Sequence, residues 1–188
     1  PWSLELIERF EDRWNWSEAY YTAGISANTA LPWSLRLIQR FEDRWDWEKL
    51  SANTALPWSL GLIERFEDRW GWRGLSYNTA LSLSLELIER FQDRWDWRWL
   101  GQNTALPWSP ELIERFEDRW GREVFESALP ENTALPWSLE LIERYEDRWG
   151  WDRLSTNETL PLSLELIERF EDRWDWGGGF LSSRGLSS

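Results

Sequence analysis

Carboxylates and hydroxyls are the side chains that could do chemistry in this 188-residue chain, because it contains no His, Cys or Met. Glu8, Glu11 and Asp12 are spaced so that two of them could act together as a general acid and base. Arg9 and Arg13 stand beside them, and this pattern recurs along the whole chain. We therefore interpret these residues as a ladder of charge pairs within and between helices, in which each exposed pair contributes little to stability.

The hydroxyl and metal-binding groups also argue against catalysis. A serine recurs in every copy of the pattern, but no His or Lys accompanies it as a base that would activate a nucleophile. The absence of Cys excludes disulfides, zinc-thiolate sites and iron-sulfur clusters within these residues. The absence of His removes the usual proton shuttle and the commonest metal ligand. We therefore predict no enzyme activity, no catalytic residue, no metal site, no cofactor and no small-molecule substrate.

The charge of the chain limits the classes of partner. The net charge is −13, and the carboxylates are distributed along the whole sequence. A nucleic-acid backbone needs Lys and Arg that carboxylates do not already neutralise, so neither nucleic acid nor an anionic membrane is an expected partner. No apolar run approaches the ~20 residues of a membrane-spanning helix, and no signal peptide is visible, so no compartment is assigned. The chain begins without Met and in frame with a repeat, and we expect it to be a segment of a longer or processed product.

A repeated element must position these side chains, because seven copies of one pattern fill the sequence. The period is 25 residues, and two insertions lengthen it to 31 and 29. A period in this range is typical of a stacked solenoid. We predict an all-α solenoid that forms a single domain over residues 1–176, followed by a Gly/Ser-rich tail at 177–188. The repeats begin at Pro1, Pro32, Pro57, Ser82, Pro107, Pro136 and Pro161.

The second repeat shows how one unit is built. A serine before an apolar stretch is typical of a helix N-cap, and the apolar residues that follow keep helical spacing over about eleven residues. Two further apolar residues at i and i+3 predict a short 3₁₀ or one-turn α segment, which an asparagine ends. The residues in these structural roles are Ser34, Leu37, Ile38, Phe41, Trp45, Trp47, Leu50 and Asn53.

An alternative places a strand between Trp47 and Asn53, as in a leucine-rich-repeat α/β solenoid with an asparagine ladder. Leucine-rich repeats alternate Leu at i and i+2 before the Asn, whereas Leu50 lies at i+3 from Trp47. This spacing favours the helical alternative. In either fold we expect the recurring asparagines to bond backbone groups of adjacent turns, as asparagines do at bends. These residues are Asn28, Asn53, Asn78, Asn103, Asn132 and Asn157.

Two insertions interrupt the period at the same position of the repeat, so we expect them to emerge from the same edge. The first adds six residues between Trp16 and Ile25, and the second adds four between Arg122 and Leu129. Loops on one face of a repeat array often bind partners, although drift in a tolerant loop explains an insertion equally well.

Aromatic residues supply the candidate partner contacts. Exposed indoles can stack on sugars and cations, but the strict recurrence of the 19 tryptophans favours core and inter-repeat packing. Trp99 falls outside the repeat pattern and is the best candidate for an exposed aromatic contact. Tyr20, Tyr21 and Phe125 lie in the two insertions, where exposed aromatic residues are typical contact anchors. The sequence therefore predicts partner contacts at these four residues.

One stretch of the second repeat combines Trp45-Asp46-Trp47 with Leu50-Ser51-Ala52-Asn53. It resembles the WDWxxLSxN repeats of largely uncharacterised tandem-repeat proteins from giant viruses and bacteria, and the resemblance covers nearly the whole chain. The order of capped helix and short apolar segment is distantly similar to leucine-rich-variant repeats. That similarity implies alternating α and 3₁₀ helices in a right-handed superhelix but no activity, and the iron-sulfur module of that family would need cysteines. Arg122 replaces the second Trp of the motif in the fifth repeat.

Protein binding is the function that these features favour. We predict a non-enzymatic repeat scaffold for protein–protein interaction, which engages a protein partner or a second copy of itself. The alternative is a structural element that forms filaments, since an uncapped solenoid end exposes an apolar face that matches the opposite end.

Overall fold

The computed structural model describes residues 2–17 and 24–177. Within these ranges the regular structure is helical and no strand occurs, which excludes the leucine-rich-repeat alternative with its strand between Trp47 and Asn53. The chain divides into two compact units, Pro1–Asp96 and Trp97–Ser188.

The described helices are short and follow one another at regular spacing. In chain order they are α1 (Leu4–Arg9), a 3₁₀ turn (Ile25–Ala27), α2 (Leu35–Arg40), α3 (Trp47–Ala52), α4 (Leu60–Arg65), α5 (Trp72–Tyr77), α6 (Leu85–Arg90), α7 (Trp97–Gln102), α8 (Pro110–Arg115), a π-helical segment (Val124–Ala128), α9 (Leu129–Glu131), α10 (Leu139–Arg144), α11 (Trp151–Leu154) and α12 (Leu164–Arg169).

Serine caps begin the first helix of each repeat, as predicted. The Ser34 side chain accepts a hydrogen bond from the backbone N–H of Leu37, which is one of the N–H groups that a helix start leaves without an internal partner. The same bond recurs in all seven repeats. The serines that make it are Ser3, Ser34, Ser59, Ser84, Ser109, Ser138 and Ser163.

The first helix is shorter than the apolar spacing predicts. In the second repeat α2 ends at Arg40, because the next residue, Phe41, has φ −125° and ψ 31°. A separate turn follows, in which the N–H groups of Arg44 and Trp45 donate to the Phe41 carbonyl at 2.9 and 3.2 Å. The indole N–H of Trp45 donates to the Ile38 carbonyl at 3.0 Å. A tryptophan side chain thus satisfies one of the carbonyls at the helix end.

The second helix of the repeat matches its prediction more closely. Asp46 caps α3 by accepting a hydrogen bond from the Lys49 N–H at 3.2 Å, and Asn53 ends it. The predicted choice between one-turn α and 3₁₀ is resolved repeat by repeat. The first repeat has the 3₁₀ turn Ile25–Ala27, whereas α3 and α5 are α-helical over six residues each.

The insertion of the fifth repeat extends a helix and does not form a projecting loop. Residues 122–131 are continuously helical, with the π-helical segment Val124–Ala128 followed by α9. A π-helical turn accommodates extra residues inside a helix without breaking it. The expectation of an exposed loop is therefore wrong for this insertion. The insertion of the first repeat lies outside the described residues from position 18 to position 23.

The apolar core runs through each unit along the repeated positions. In the second repeat the core side chains are almost completely buried, whereas Trp47 is half-buried. These core side chains are Leu37, Ile38, Phe41, Trp45 and Leu50.

Candidate interaction surface

Asparagine side chains join neighbouring repeats, as predicted. The Asn78 amide donates to the Ser51 carbonyl of the preceding repeat at 2.9 Å, and its oxygen accepts from the Ala80 N–H at 3.0 Å. Asn53 donates in the same way to Ser26 at 3.2 Å. In the second unit Asn132 donates to the Gly101 carbonyl at 2.7 Å. These amides are buried, so each bond satisfies a backbone carbonyl that water does not reach.

Replacing Asn78 with alanine is expected to lower the free energy of unfolding by about 1–3 kcal/mol, because it leaves the buried Ser51 carbonyl and the Ala80 N–H with fewer partners. Urea unfolding followed by circular dichroism measures the change. Thr79→Ala is the matched control, since Thr79 is exposed. Equal midpoints for the two variants would show that the Asn78 side chain does not support the fold.

A second row of repeat-to-repeat bonds uses the serines of the second helix, whose role the repeat pattern alone does not predict. Ser51 Oγ donates to the Trp47 carbonyl at 2.6 Å and accepts from the Gly71 N–H of the next repeat at 2.9 Å. Ser26 and Ser155 accept in the same way from the N–H groups of Asp46 and Asp175, both at 3.0 Å. The recurrence of Ser directly after the buried Leu or Ile of the second helical segment was the available signal.

Each repeat has three tryptophan positions, here named opening, middle and closing after Trp33, Trp45 and Trp47. Their indole N–H groups all donate to backbone carbonyls, at 2.9 Å to Asn28, 3.0 Å to Ile38 and 2.9 Å to Glu42. Core packing, which the recurrence predicts, is therefore only part of their role. A hydrogen-bond donor on a large apolar ring explains why these positions use Trp more often than Phe or Leu.

Closing tryptophans also pack against aromatic rings of the next repeat in tilted and edge-to-face arrangements. Trp47 lies 4.9 Å from Phe66 and 4.8 Å from Trp70, measured between ring centroids. Arginines cover the same rings: the Arg94 guanidinium lies 5.3 Å from the Trp72 centroid, within cation–π range. Arg94 also pairs with Asp68 at 3.3 Å. The Arg94 side chain thus links two successive repeats through an ion pair and through a cation–π contact.

The charge-pair ladder runs mainly between repeats. Arg90 pairs with Glu64 of the preceding repeat at 2.8 Å in the first unit, and Arg144 pairs with Glu114 at 2.7 Å in the second. This confirms the structural interpretation of the recurrent acidic residues. The pairs are solvent-exposed, so each contributes at most about 1 kcal/mol.

The structure corrects one of the four predicted partner contacts. Phe125 is 0% exposed, because the insertion that carries it is helical. Its ring lies 5.0 Å from both Tyr145 and Trp149, and the Arg148 guanidinium lies 3.8 Å from its centroid. Phe125 therefore occupies the closing-tryptophan position that Arg122 vacates in the sequence. It is a core residue, and as such it offers no surface to a partner.

The other three predicted contacts are Trp99, Tyr20 and Tyr21. Trp99 is half-buried on α7. Tyr20 and Tyr21 lie outside the described residues.

Carboxyl, phenol and guanidinium groups each include members with shifted pKa values. The backbone N–H and the Ser109 hydroxyl hydrogen-bond the Glu111 carboxylate and lower its pKa, and Glu140 with Ser138 repeats this arrangement. Burial raises the pKa of Tyr145, and the nearby Glu117 carboxylate raises it further. Guanidinium pKa values are raised by hydrogen bonds to Glu, as for Arg144 beside Glu114. These shifts follow from helix caps, ion pairs and burial in the core.

Tyr145 replaces the Phe found at this position in the other six repeats, and its buried hydroxyl has no hydrogen-bond partner. Tyr145→Phe is expected to stabilise the fold by about 1 kcal/mol, since an unsatisfied buried hydroxyl is costly. The raised pKa makes the stability of the wild type fall once pH exceeds the ordinary tyrosine value near 10. The gain from Tyr145→Phe should therefore widen in alkaline solution. Denaturant midpoints at neutral and alkaline pH, with Tyr77→Phe at an exposed tyrosine as control, measure both effects.

Neither a metal cluster nor a membrane span stands out in the part of the chain that the structure describes. No group of three or more His, Cys, Asp or Glu side chains in residues 2–17 and 24–177 could hold a metal ion. The helices in the same ranges are too short and too polar to cross a bilayer.

The first unit also contains an apolar groove. It has a volume of about 520 Å³ and lies between the starts of the second and third repeats. Leu35 is 43% exposed at this groove, and Gly61 leaves its floor open. The lining residues are Trp33, Ser34, Leu35, Pro57, Ser59, Gly61, Leu62 and Arg65. The groove has the size of a binding site for a few side chains.

Comparison with protein-family models, curated proteins and solved structures gave no match to this chain.

Proposed function

We propose that this chain is a non-enzymatic repeat scaffold that binds a protein partner. The observation that carries the proposal is apolar surface left exposed at the starts of the first helices. Leu35 is 43% exposed and Leu85 is 38% exposed, in a fold whose other large apolar side chains are mostly buried. Leu35 lies at the apolar groove of about 520 Å³, and an apolar groove of this kind is a feature of binding sites.

The recurring polar groups support the same proposal by the roles they fill. The asparagines and the serines of the second helix bond the backbone of neighbouring repeats, as Asn78 and Ser51 do. The recurrent acidic residues pair with arginines, as Glu64 does with Arg90. These repeat contacts, found inside each unit, support a solenoid of seven repeats related to the WDWxxLSxN type. They leave the partner surface to residues at which the repeats differ.

Site-specific photo-crosslinking tests the proposal. A photoreactive amino acid at position 35 should capture one defined protein in the cells that make this chain, whereas the same probe at position 118, an exposed Asp of the turn after α8, should not. Adducts at both positions, or at neither, would contradict a binding scaffold with a specific apolar surface.

A second candidate function is self-assembly into a larger structural array. The exposure of the seventh repeat favours it, since Leu164 is 71% exposed and Trp176 is 44% exposed. An apolar face of this kind can bind the complementary face of another copy. Sedimentation velocity over a range of concentrations distinguishes the two functions. Assemblies that Leu164→Glu abolishes would favour self-association over a separate protein partner.

A further inference from the structure

We propose that the groove between α2 and α4 binds an acidic protein segment that inserts an apolar side chain. This inference rests on the proposed scaffold function and names its site and the chemistry of its partner. It begins from three positions at which the second and third repeats depart from the others. These positions are Arg36, Gln39 and Gly61.

The first departure concerns the second residue of the first helix. Glu stands there in five repeats, whereas the second repeat has Arg36 and the third has Gly61. A Cβ at Gly61 would have no heavy atom within 4 Å, so open space lies where other repeats carry a charged side chain. At Gly61 the groove is therefore open at a position where five repeats carry a glutamate.

The second departure leaves an arginine without its usual carboxylate. Arg90 and Arg144 pair with Glu64 and Glu114 of their preceding repeats at 2.8 and 2.7 Å. The equivalent arginine of the third repeat, Arg65, faces Gln39, the only residue other than Glu at that position. With its amide turned so that the oxygen faces the guanidinium, Gln39 accepts from Arg65 Nε at 2.7 Å. A neutral amide does not cancel the charge of Arg65, which lines the groove.

These substitutions reverse the local charge. The first helix of most repeats reads Leu-Glu-Leu-Ile-Glu-Arg, with two carboxylates and one arginine. Helix α2 contains Arg36 and Arg40 and no carboxylate, and the single glutamate of α4, Glu64, is paired with Arg90. Arg40 is itself paired with Glu8 at 3.4 Å, so Arg36 and Arg65 are the cations that remain for a partner. A basic, apolar groove on a chain of net charge −13 selects acidic partners through charge complementarity.

The shape of the groove favours a peptide segment as its occupant. Trp33, Leu35 and Leu62 supply apolar surface to its lining, so one aliphatic or aromatic side chain can be buried there. The indole N–H of Trp33 already donates to the Asn28 carbonyl at 2.9 Å, which fixes the ring as a wall of the groove. A carboxylate flanking the inserted side chain would reach Arg65, which lines the groove, through a charge-assisted hydrogen bond. Arg36, which follows the groove residue Leu35 in α2, adds positive charge to the same helix.

Selection from a random-peptide display library against the full chain tests the inference. The selected peptides should contain Asp or Glu next to an aliphatic or aromatic residue. They should bind less tightly, by about tenfold or more, to the variant with Arg36→Glu, Gln39→Glu and Gly61→Glu, which restores the residues of the other repeats. Gly61→Trp, which fills the groove and keeps its charge, should weaken binding as well. Raised ionic strength should lower the affinity.

Circular dichroism and denaturant midpoints check that both variants fold as the wild type does. Selected peptides that are basic or uncharged, peptides that bind the restored variant equally well, or a library that yields no binder would each overturn the groove inference. The scaffold function would then still stand on the crosslinking result at position 35. If acidic peptides bind the groove but no crosslinked partner is found in cells, the groove inference would stand and the scaffold function would fail.

Discussion

Replacing Trp120 with alanine is expected to lower the free energy of unfolding of the second unit by about 4 kcal/mol, within the range for large aromatic residues in a core. Trp120 is the largest of the almost fully buried side chains, at 1% exposure. Its ring lies 4.7 Å from Trp97 and 5.7 Å from Trp108, and its indole N–H donates to the Ile113 carbonyl at 3.1 Å. The substitution creates a cavity and removes that donor.

Trp120→Phe separates the two contributions. Phenylalanine retains most of the ring packing but cannot donate, so the Ile113 carbonyl is left buried without the indole, at a cost of about 1–3 kcal/mol. Trp176→Phe is the comparison at an exposed position, because Trp176, a closing tryptophan, also donates its indole N–H to a backbone carbonyl, that of Glu171 at 3.0 Å, but is 44% exposed. Water can replace the donor there, and the expected change is small. Guanidinium unfolding followed by far-ultraviolet circular dichroism measures both variants; equal losses would show that the indole hydrogen bond adds nothing to packing.

The parts of the fold that the sequence predicts are those set by neighbouring residues. Ser34 precedes the apolar stretch that it caps, and Asn53 directly follows the helix that it ends, so both roles are visible within a few positions. The charge ladder was also predictable, because acidic and basic residues recur side by side in the sequence. Local hydrogen bonding and repetition are sufficient for these features.

The length of the first helix was mispredicted for a reason that apolar spacing cannot show. Phe41 and Trp45 keep the helical spacing of the residues before them, yet the backbone leaves the helix at Phe41 and makes a separate turn. A continued helix and the observed turn would both place the Phe41 and Trp45 rings on the same side of the chain. The difference depends on the indole bond to Ile38, which requires a tertiary arrangement of the ring that periodicity does not encode.

Particular contacts between repeats were the other features missed, although the asparagine bonds between repeats were predicted. The bond from the Gly71 N–H to Ser51 Oγ joins residues that are 20 positions apart in the sequence, and the rings of Phe125 and Tyr145 are separated by the same number of positions. No pattern among neighbouring residues indicates either contact. The groove lined by Leu35, Gly61 and Arg65 became visible only when the structure placed the starts of the second and third repeats beside one another. The departures themselves were present in the sequence, and comparing each repeat with the others was the signal that could have found them.

Gly150 tests most directly how the fold accommodates the insertion of the fifth repeat. Its φ is −74°, which any residue adopts, so backbone freedom does not explain the glycine. The N–H of Gly150 donates to the Phe125 carbonyl at 3.1 Å, and a Cβ at Gly150 would overlap the backbone carbonyl oxygen of Glu126. Other repeats place Asp46 or Asp96 at this position, where a serine side chain receives the N–H. The π-helical segment thus brings its backbone to the place where a Cβ would lie.

Gly150→Ala is therefore expected to destabilise the second unit by about 3 kcal/mol, since the overlapping atom belongs to a helical backbone and cannot rotate away. Gly121→Ala, at the same position of the preceding repeat, is the matched control: a Cβ there meets no heavy atom within 4 Å. It should be neutral or slightly stabilising, because alanine restricts the unfolded chain. Unfolding midpoints of the two variants measure the contrast, and similar midpoints would show that the π-helical segment yields to an added methyl group.

A rescue variant ties the requirement for glycine to the insertion itself. Replacing residues 122–131 with the six residues of α5, Trp-Arg-Gly-Leu-Ser-Tyr, removes the π-helical segment and restores a serine that can receive the N–H of residue 150. In that background Gly150→Ala should cost less than about 1 kcal/mol, as expected for independent substitutions that no longer share a contact. A penalty that persists in the shortened chain would mean that glycine is required by the sixth repeat alone, and the fit between Gly150 and the insertion would not be the cause.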